Sequence, residues 1–287
     1  MEKLAEGYSL VEGPVWVPGR GLMFSDVLNG GVFCIDDSGS LTTIFAHRRG
    51  IGGMSLHENG GMIVSGRNIS WKSNPEGETR TLLDENEEAG VVGFNDITTD
   101  SLGRIYAGGL GSSPVFDDGR EPRPGDLYLI DLDGSARVVA RDIMLTNGMG
   151  FSPDGKTLYH SDTRRQHINA YAVDSDGTLG EKQIFVETAG TSPDGMAISE
   201  DGRLWVALAN GHGVGVYNPD GSIDHLVEIP QQKCTSVCFG GDDLRDLYVV
   251  SGSDDSGGDR PGAVYRTRAD VAGLEVPLAR VALPPSS

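Results

Sequence analysis

A chain of 287 residues with 42 glycines, 14 prolines and 38% hydrophobic residues is turn-rich and has material for a core, which excludes a disordered or fibrous protein. Its formal charge of −19 repels a phosphate backbone and an anionic membrane surface, and no Lys/Arg-rich run offsets it, so neither nucleic acid nor membrane is expected as a partner. The opening MEKLAEGYSLVEG has no basic segment followed by an apolar one, and Cys34, Cys234 and Cys238 form no CxxC pair, which leads to the expectation of an unanchored cytoplasmic protein with reduced thiols.

Along the chain one unit recurs, a turn followed by a short apolar strand. It stands as GRGLMFSD at 19–26, NGGMIVSG at 59–66, SLGRIYAGG at 101–109, PDGKTLYHSD at 153–162, EDGRLWVAL at 200–208 and DDLRDLYVVSG at 242–252. Taking Met23, Met62, Ile105, Leu158, Leu204 and Leu247 as equivalent anchors gives spacings of 39, 43, 53, 46 and 43, the period of a four-stranded blade. A second apolar stretch ended by a turn follows every anchor except the second, for example GDLYLIDLDG and GVGVYNPDG. Asp-Gly and Asn-Gly turns supply the positive φ of hairpins, and no segment holds a helical period for a dozen residues, so helix should be scarce. The pattern predicts an all-β chain, one six-bladed β-propeller over residues 1–287; a sandwich or barrel of similar hairpins explains six such repeats poorly. Two loop-like segments, 71–90 and 111–125, stand outside the repeat as lids over one mouth of the channel or as plain surface insertions.

The first strand of each propeller blade lines the central channel, so a fixed offset before each anchor should face the axis. Ten or eleven residues before the anchors stand Glu12, Gly52, Asn95, Asn147, Asp194 and Ser236. Four are carboxylates or primary amides, and glycine follows in EGP, NGM and DGM, where it permits close backbone approach. Two anionic and two neutral oxygen donors suit one hard divalent cation in a central metal-binding channel, Ca²⁺ first, with Mg²⁺, Mn²⁺ and Zn²⁺ left open. The alternative is that these residues only hydrogen-bond across a wet channel.

At these positions the chain resembles the SMP-30/gluconolactonase/LRE family, known also as regucalcin-like, in its bacterial branch. The resemblance runs through EGPVW at 12–16, GRNI at 66–69, GFNDI at 93–97, TNGMGFSPDGKTLYHSD at 146–162, SPDGMAISEDGRLWVA at 192–207 and TSVCFGGDDLRDLYV at 235–249. It implies a six-bladed propeller whose metal is bound by the Glu of EGP, the Asn of ND, the Asn of NG and the Asp of PDG. These are Glu12, Asn95, Asn147 and Asp194. Members are largely lactone hydrolases, often of sugar-acid lactones. Sugar-lactone members commonly carry an Arg two positions before the ND asparagine and an acidic residue in the loop after that blade's outer turn; here stand Gly93 and Ser112 or Ser113.

The expected chemistry is metal-dependent hydrolysis of a lactone or related cyclic ester in a small-molecule substrate. The cation polarises the carbonyl, and Asp194 is the catalytic group, as general base ahead of nucleophile. Arg67, Asn95, Phe94 and Met149 are candidate substrate contacts, with Met196 beside them; Asp96 serves a turn or supports Asn95. His160 and His212 read as structural, and Ser236 lacks a GxSxG context. A phosphotriesterase-like or strictosidine-synthase-like enzyme on the same ring, or a non-catalytic calcium-binding propeller, are the rival readings. Either a monomer or a homodimer is compatible with the sequence.

Overall fold

Short apolar segments cut by glycine turns can bury their faces only as strands, and the described residues form 24 strands and no helix. The computed structural model describes residues 1–74, 77–116, 119, 121–188, 190–253 and 260–285. The chain opens with β1 (Glu2–Tyr8) and then lays down a first blade of β2 (Val11–Val17), β3 (Gly21–Asp26), β4 (Val32–Ile35) and β5 (Leu41–Phe45). A second has β6 (Met54–Leu56), β7 (Met62–Val64), β8 (Ile69–Lys72) and β9 (Thr79–Leu83), and a third β10 (Gly93–Thr99), β11 (Ile105–Leu110), β12 (Gly125–Ile130) and β13 (Ala136–Ile143). The fourth is β14 (Thr146–Phe151), β15 (Thr157–Asp162), β16 (His167–Ala172) and β17 (Gln183–Glu187), the fifth β18 (Pro193–Ile198), β19 (Leu204–Leu208), β20 (Gly213–Tyr217) and β21 (Ile223–Glu228). The sixth takes β22 (Cys234–Gly240), β23 (Asp246–Ser251) and β24 (Gly262–Arg268), and its outermost strand is β1.

Each sheet is an antiparallel meander that begins at its innermost strand. The innermost strands β2, β6, β10, β14, β18 and β22 pack side by side, and β2 meets β22 to close the circle. This is the expected six-bladed propeller. All six anchor residues lie in the second strand of their blade with at most 1% exposure, packed between neighbouring sheets. At Gly60, Gly103, Gly155 and Gly202 the turn into that strand has φ between 69° and 90°, and each N–H donates to the carbonyl three residues earlier. A Cβ penalises that conformation, which is why the turns end in glycine.

Segment 71–90 departs from its expected place outside the repeat. Its start belongs to β8 and its middle is β9, so it completes the second blade. Trp71 packs between blades, while β9 is an outer edge strand whose exposed residues are Thr79 and Thr81, and such a strand reads as loop from composition alone. Residues 75 and 76 lie outside the described residues, as do 117, 118 and 120 of segment 111–125. The C-terminal stretch after β24 was not anticipated. It crosses the end of the propeller opposite the Glu12 ring, with Leu274 N–H donating to Ile198 O, Ala279 N–H to Leu56 O, Arg280 N–H to Gly103 O and Ala282 N–H to Leu132 O. Ala279 and Val281 are buried in the core between the second and third blades.

Candidate functional site

The four oxygen donors arrive at one place because their strands break register there. In β10, Asn95 and Asp96 lie between the pairs Phe94↔Gly109 and Ile97↔Ala107, so two residues face one. Asn147 and Gly148 do the same in β14, Asp194 and Gly195 in β18, and in β2 the irregularity follows directly after Glu12. A bulge of this kind re-aims a side chain that regular alternation would bind to the ladder. The adjoining glycines let the strands close up: a Cβ on Gly148 would stand 2.6 Å from Asp194 O, one on Gly195 would overlap Ser236 Oγ, and one on Gly52 would overlap Asn95 Oδ1.

Hydrogen bonds orient the amides. Asn95 donates from Nδ2 to Thr146 O at 2.9 Å and to Asn147 Oδ1 at 3.0 Å. Asn147 donates from Nδ2 to Thr163 Oγ1 at 3.0 Å, and Thr163 in turn donates to Pro193 O at 2.7 Å. Both nitrogens are turned to protein acceptors, which leaves oxygen as the donor atom each amide offers the channel. Thr163 thus links the Asn147 strand to the Asp194 strand; nothing in its sequence context marks it.

Glu12, Asn95, Asn147 and Asp194 line one cavity of about 650 Å³. Asn147 and Asp194 are buried, Glu12 and Asn95 half-buried. Glu12 and Asp194 lie close enough for their negative charge to add to burial in pushing the Cys234 thiol well above its usual range. Among the described residues no three or more His, Cys, Asp or Glu side chains cluster as a metal site. The ring's composition accounts for that, since half its donors are amides. Two carboxylates and two oriented amide oxygens fit a hard divalent cation, which would also offset the cost of burying the acids.

Arg67 and Phe94 line the same cavity. The Arg67 guanidinium is held by Glu85, with Nε to Oε1 at 2.7 Å, so it reaches the mouth as half of an ion pair. Gly93, at φ 153°, packs against Gly66 O and the Arg67 backbone. Ser113 is at the mouth with its Oγ accepting from Phe116 N–H at 2.9 Å, while Ser112 Oγ accepts from Arg123 N–H at 3.3 Å. Both segments outside or beside the repeat contribute to this mouth, through Glu85 and Glu87 and through Ser113 to Phe116.

Met149 does not join this group. With Met196 and Ser236 it lines a second cavity of about 590 Å³ at the far end of the channel, under the C-terminal stretch 274–278. The two cavities have no lining residue in common, and the division falls between the four oxygen donors and the residues just after them. Asp96 also faces the far cavity; burial pushes its carboxyl up to about 7, against the opposing effect of Ile97 N–H, which donates to it at 2.8 Å. His160 is fully buried with Nε2 2.6 Å from Thr146 Oγ1, and burial holds it down to about 3, so it is neutral. His212, at φ 57°, sits in the turn between β19 and β20 and lines neither cavity. Sequence reasoning missed Arg49, Arg164 and Lys233 at the mouth, which come from loops of different blades with no shared motif.

A family model described as the SMP-30/gluconolactonase/LRE-like region matches residues 10–253. The chain is 34% identical over 281 residues to 6-deoxy-6-sulfogluconolactonase of Pseudomonas putida, covering 94% of each chain, and 29% identical over 274 residues to a pentonolactonase of Haloferax volcanii, covering 90% of each. Its fold matches that of a calcium-binding protein, regucalcin, from Agrobacterium tumefaciens with a TM-score of 0.85 at 22% identity, over 98% of this chain and 97% of the other. The propeller, the four-donor floor and a family match that spans both place this chain in the SMP-30/gluconolactonase/LRE-like family.

Proposed function

We propose that this enzyme of the gluconolactonase family hydrolyses a lactone or related cyclic ester with the help of one divalent cation, Ca²⁺ first among the candidates. The observation that carries this reading is the floor of the 650 Å³ cavity, where Glu12, Asn95, Asn147 and Asp194 converge and both amide nitrogens are turned away by their hydrogen bonds. These four residues would hold the cation. When bound, it supplies Lewis-acid polarisation of the ester carbonyl and charge compensation as that oxygen becomes an oxyanion.

Asp194 acts as general base. It accepts the proton of a water whose oxygen attacks the carbonyl carbon, and it returns that proton to the ring oxygen as the C–O bond opens to give a hydroxy acid. Glu12, Asn95 and Asn147 fix the geometry of the floor, and Thr163 holds Asn147 in place. Phe94 and its apolar neighbours keep bulk water from the reacting atoms.

The test is a panel of aldono-, alkyl- and aryl-lactones assayed with Ca²⁺, Mg²⁺, Mn²⁺ and Zn²⁺ and after chelation. Turnover that chelation removes and cation restores is expected. In Asp194→Asn, kcat should fall by a factor of about 10³ while the thermal midpoint stays near that of the wild type. No turnover of any lactone by the wild type with any of the cations, or full turnover by the variant, overturns the reading.

A further inference from the structure

Among the described residues, the mouth of the cavity gathers basic side chains, in contrast to the acidic chain as a whole. Against 42 acidic residues there are 23 basic ones, and carboxylates hold many of the arginines: Asp100 holds Arg104, Asp201, Asp224 and Asp270 hold Arg203, and Asp243 and Asp246 hold Arg268. Arg49, in the loop after β5, and Arg164, in the loop after β15, differ. Both line the cavity and are exposed, and among the described residues neither guanidinium makes an ion pair or a side-chain hydrogen bond. An exposed arginine needs no partner, so exposure by itself carries nothing. What counts is that guanidiniums from the first and fourth blades converge on one cavity, where Lys233 joins them and Arg67 stands neutralised by Glu85; among the described residues Glu87 is the other acid of the mouth.

Beside these cations and the oxygen donors, Leu10, Val27, Phe94, Leu110 and Leu145 give the cavity an apolar share of its lining. A volume of about 650 Å³ is in the range that takes drug-sized ligands, far more than a bare five- or six-membered lactone ring fills. A substituent on that ring therefore has a path from the floor to the guanidiniums.

We infer that the substrate is a lactone bearing a strongly acidic substituent remote from its ester carbonyl, a carboxylate, sulfonate or phosphate, which Arg49 and Arg164 bind. The inference rests on the lactonase reading of the floor. The planar guanidinium donates paired N–H groups that match such an anion, and the positive mouth draws it through the field of an otherwise repellent protein.

D-Glucono-1,5-lactone, its 6-phosphate and its 6-deoxy-6-sulfonate share one ring and differ at C6, so their kcat/KM values compare charge directly. The wild type should favour at least one of the two anions over the neutral lactone by about 10-fold or more, and which anion leads identifies the acidic group the mouth takes. That preference should fall by about 10-fold in the double variant Arg49→Gln/Arg164→Gln and shrink as salt is raised, since the groups are exposed. Equal turnover of all three lactones, or a preference unmoved in the double variant, overturns the inference and leaves the lactonase reading intact. No hydrolysis of these three or of the wider lactone panel overturns both.

Discussion

Single atoms decide what the ring can do. A Cβ on Gly52 would overlap Asn95 Oδ1, so in Gly52→Ala the amide has to swing out, losing the bonds from Nδ2 to Thr146 O and Asn147 Oδ1. Each such bond is worth about 1 kcal/mol, and the donor oxygen moves with them. The Ca²⁺ concentration needed for half-maximal thermal stabilisation should rise at least about 10-fold, read from melting curves across a calcium titration. Away from the ring, His160 is neutral because burial holds its pKa at about 3, against about 6.5 in an unfolded chain. The unfolded state therefore binds the extra proton between those values. Stability from this group is complete above about pH 7 and is lost as pH falls through that window. Urea unfolding at pH 7 and pH 4.5 should show the wild type losing about 2–3 kcal/mol more than His160→Gln over the same interval.

At the scale of elements, the ring depends on register. The offset of ten or eleven residues before each anchor was legible because the repeat is long and every blade uses the same second strand. Glu12, Asn95, Asn147 and Asp194, which that offset selects, line one cavity. Alternation was no guide just past them: residues two apart should share a face, yet the bulge at Asn147–Gly148 and the close approach of β14 to β18 send Met149 into the far cavity. Gly148→Ala tests how tight that approach is. Its Cβ meets backbone atoms of Asp194, Gly195 and Met196, which cannot turn aside as a side chain can, and a loss of about 2–4 kcal/mol by denaturant unfolding is expected.

Across the whole molecule, closure comes from both chain ends. β1 supplies the outer strand of the sixth blade beside β24, and Tyr8 packs edge-on against Phe24 with centroids 5.1 Å apart. Deleting residues 2–8 should uncover the β24 edge. The expected results are a thermal midpoint lower by 10 °C or more, on the order of several kcal/mol, and concentration-dependent self-association by size-exclusion chromatography. The C-terminal stretch crosses the far end, donating to backbone carbonyls of the second, third and fifth blades, while Arg49 and Arg164 line the cavity at the ring.

Local regularity accounts for what the sequence determined alone: a period near 40 residues and glycine at most of the turns specify the propeller, and a carboxylate or amide at one offset in four of the six blades brings four side-chain oxygens to one cavity. Tertiary structure decided the rest. The division of the channel into two cavities, the place of β9, the C-terminal closure and the pair of guanidiniums at the mouth all depend on residues far apart in the chain. Bulges, edge exposure and loop convergence bring them together, and none of these leaves a periodic mark.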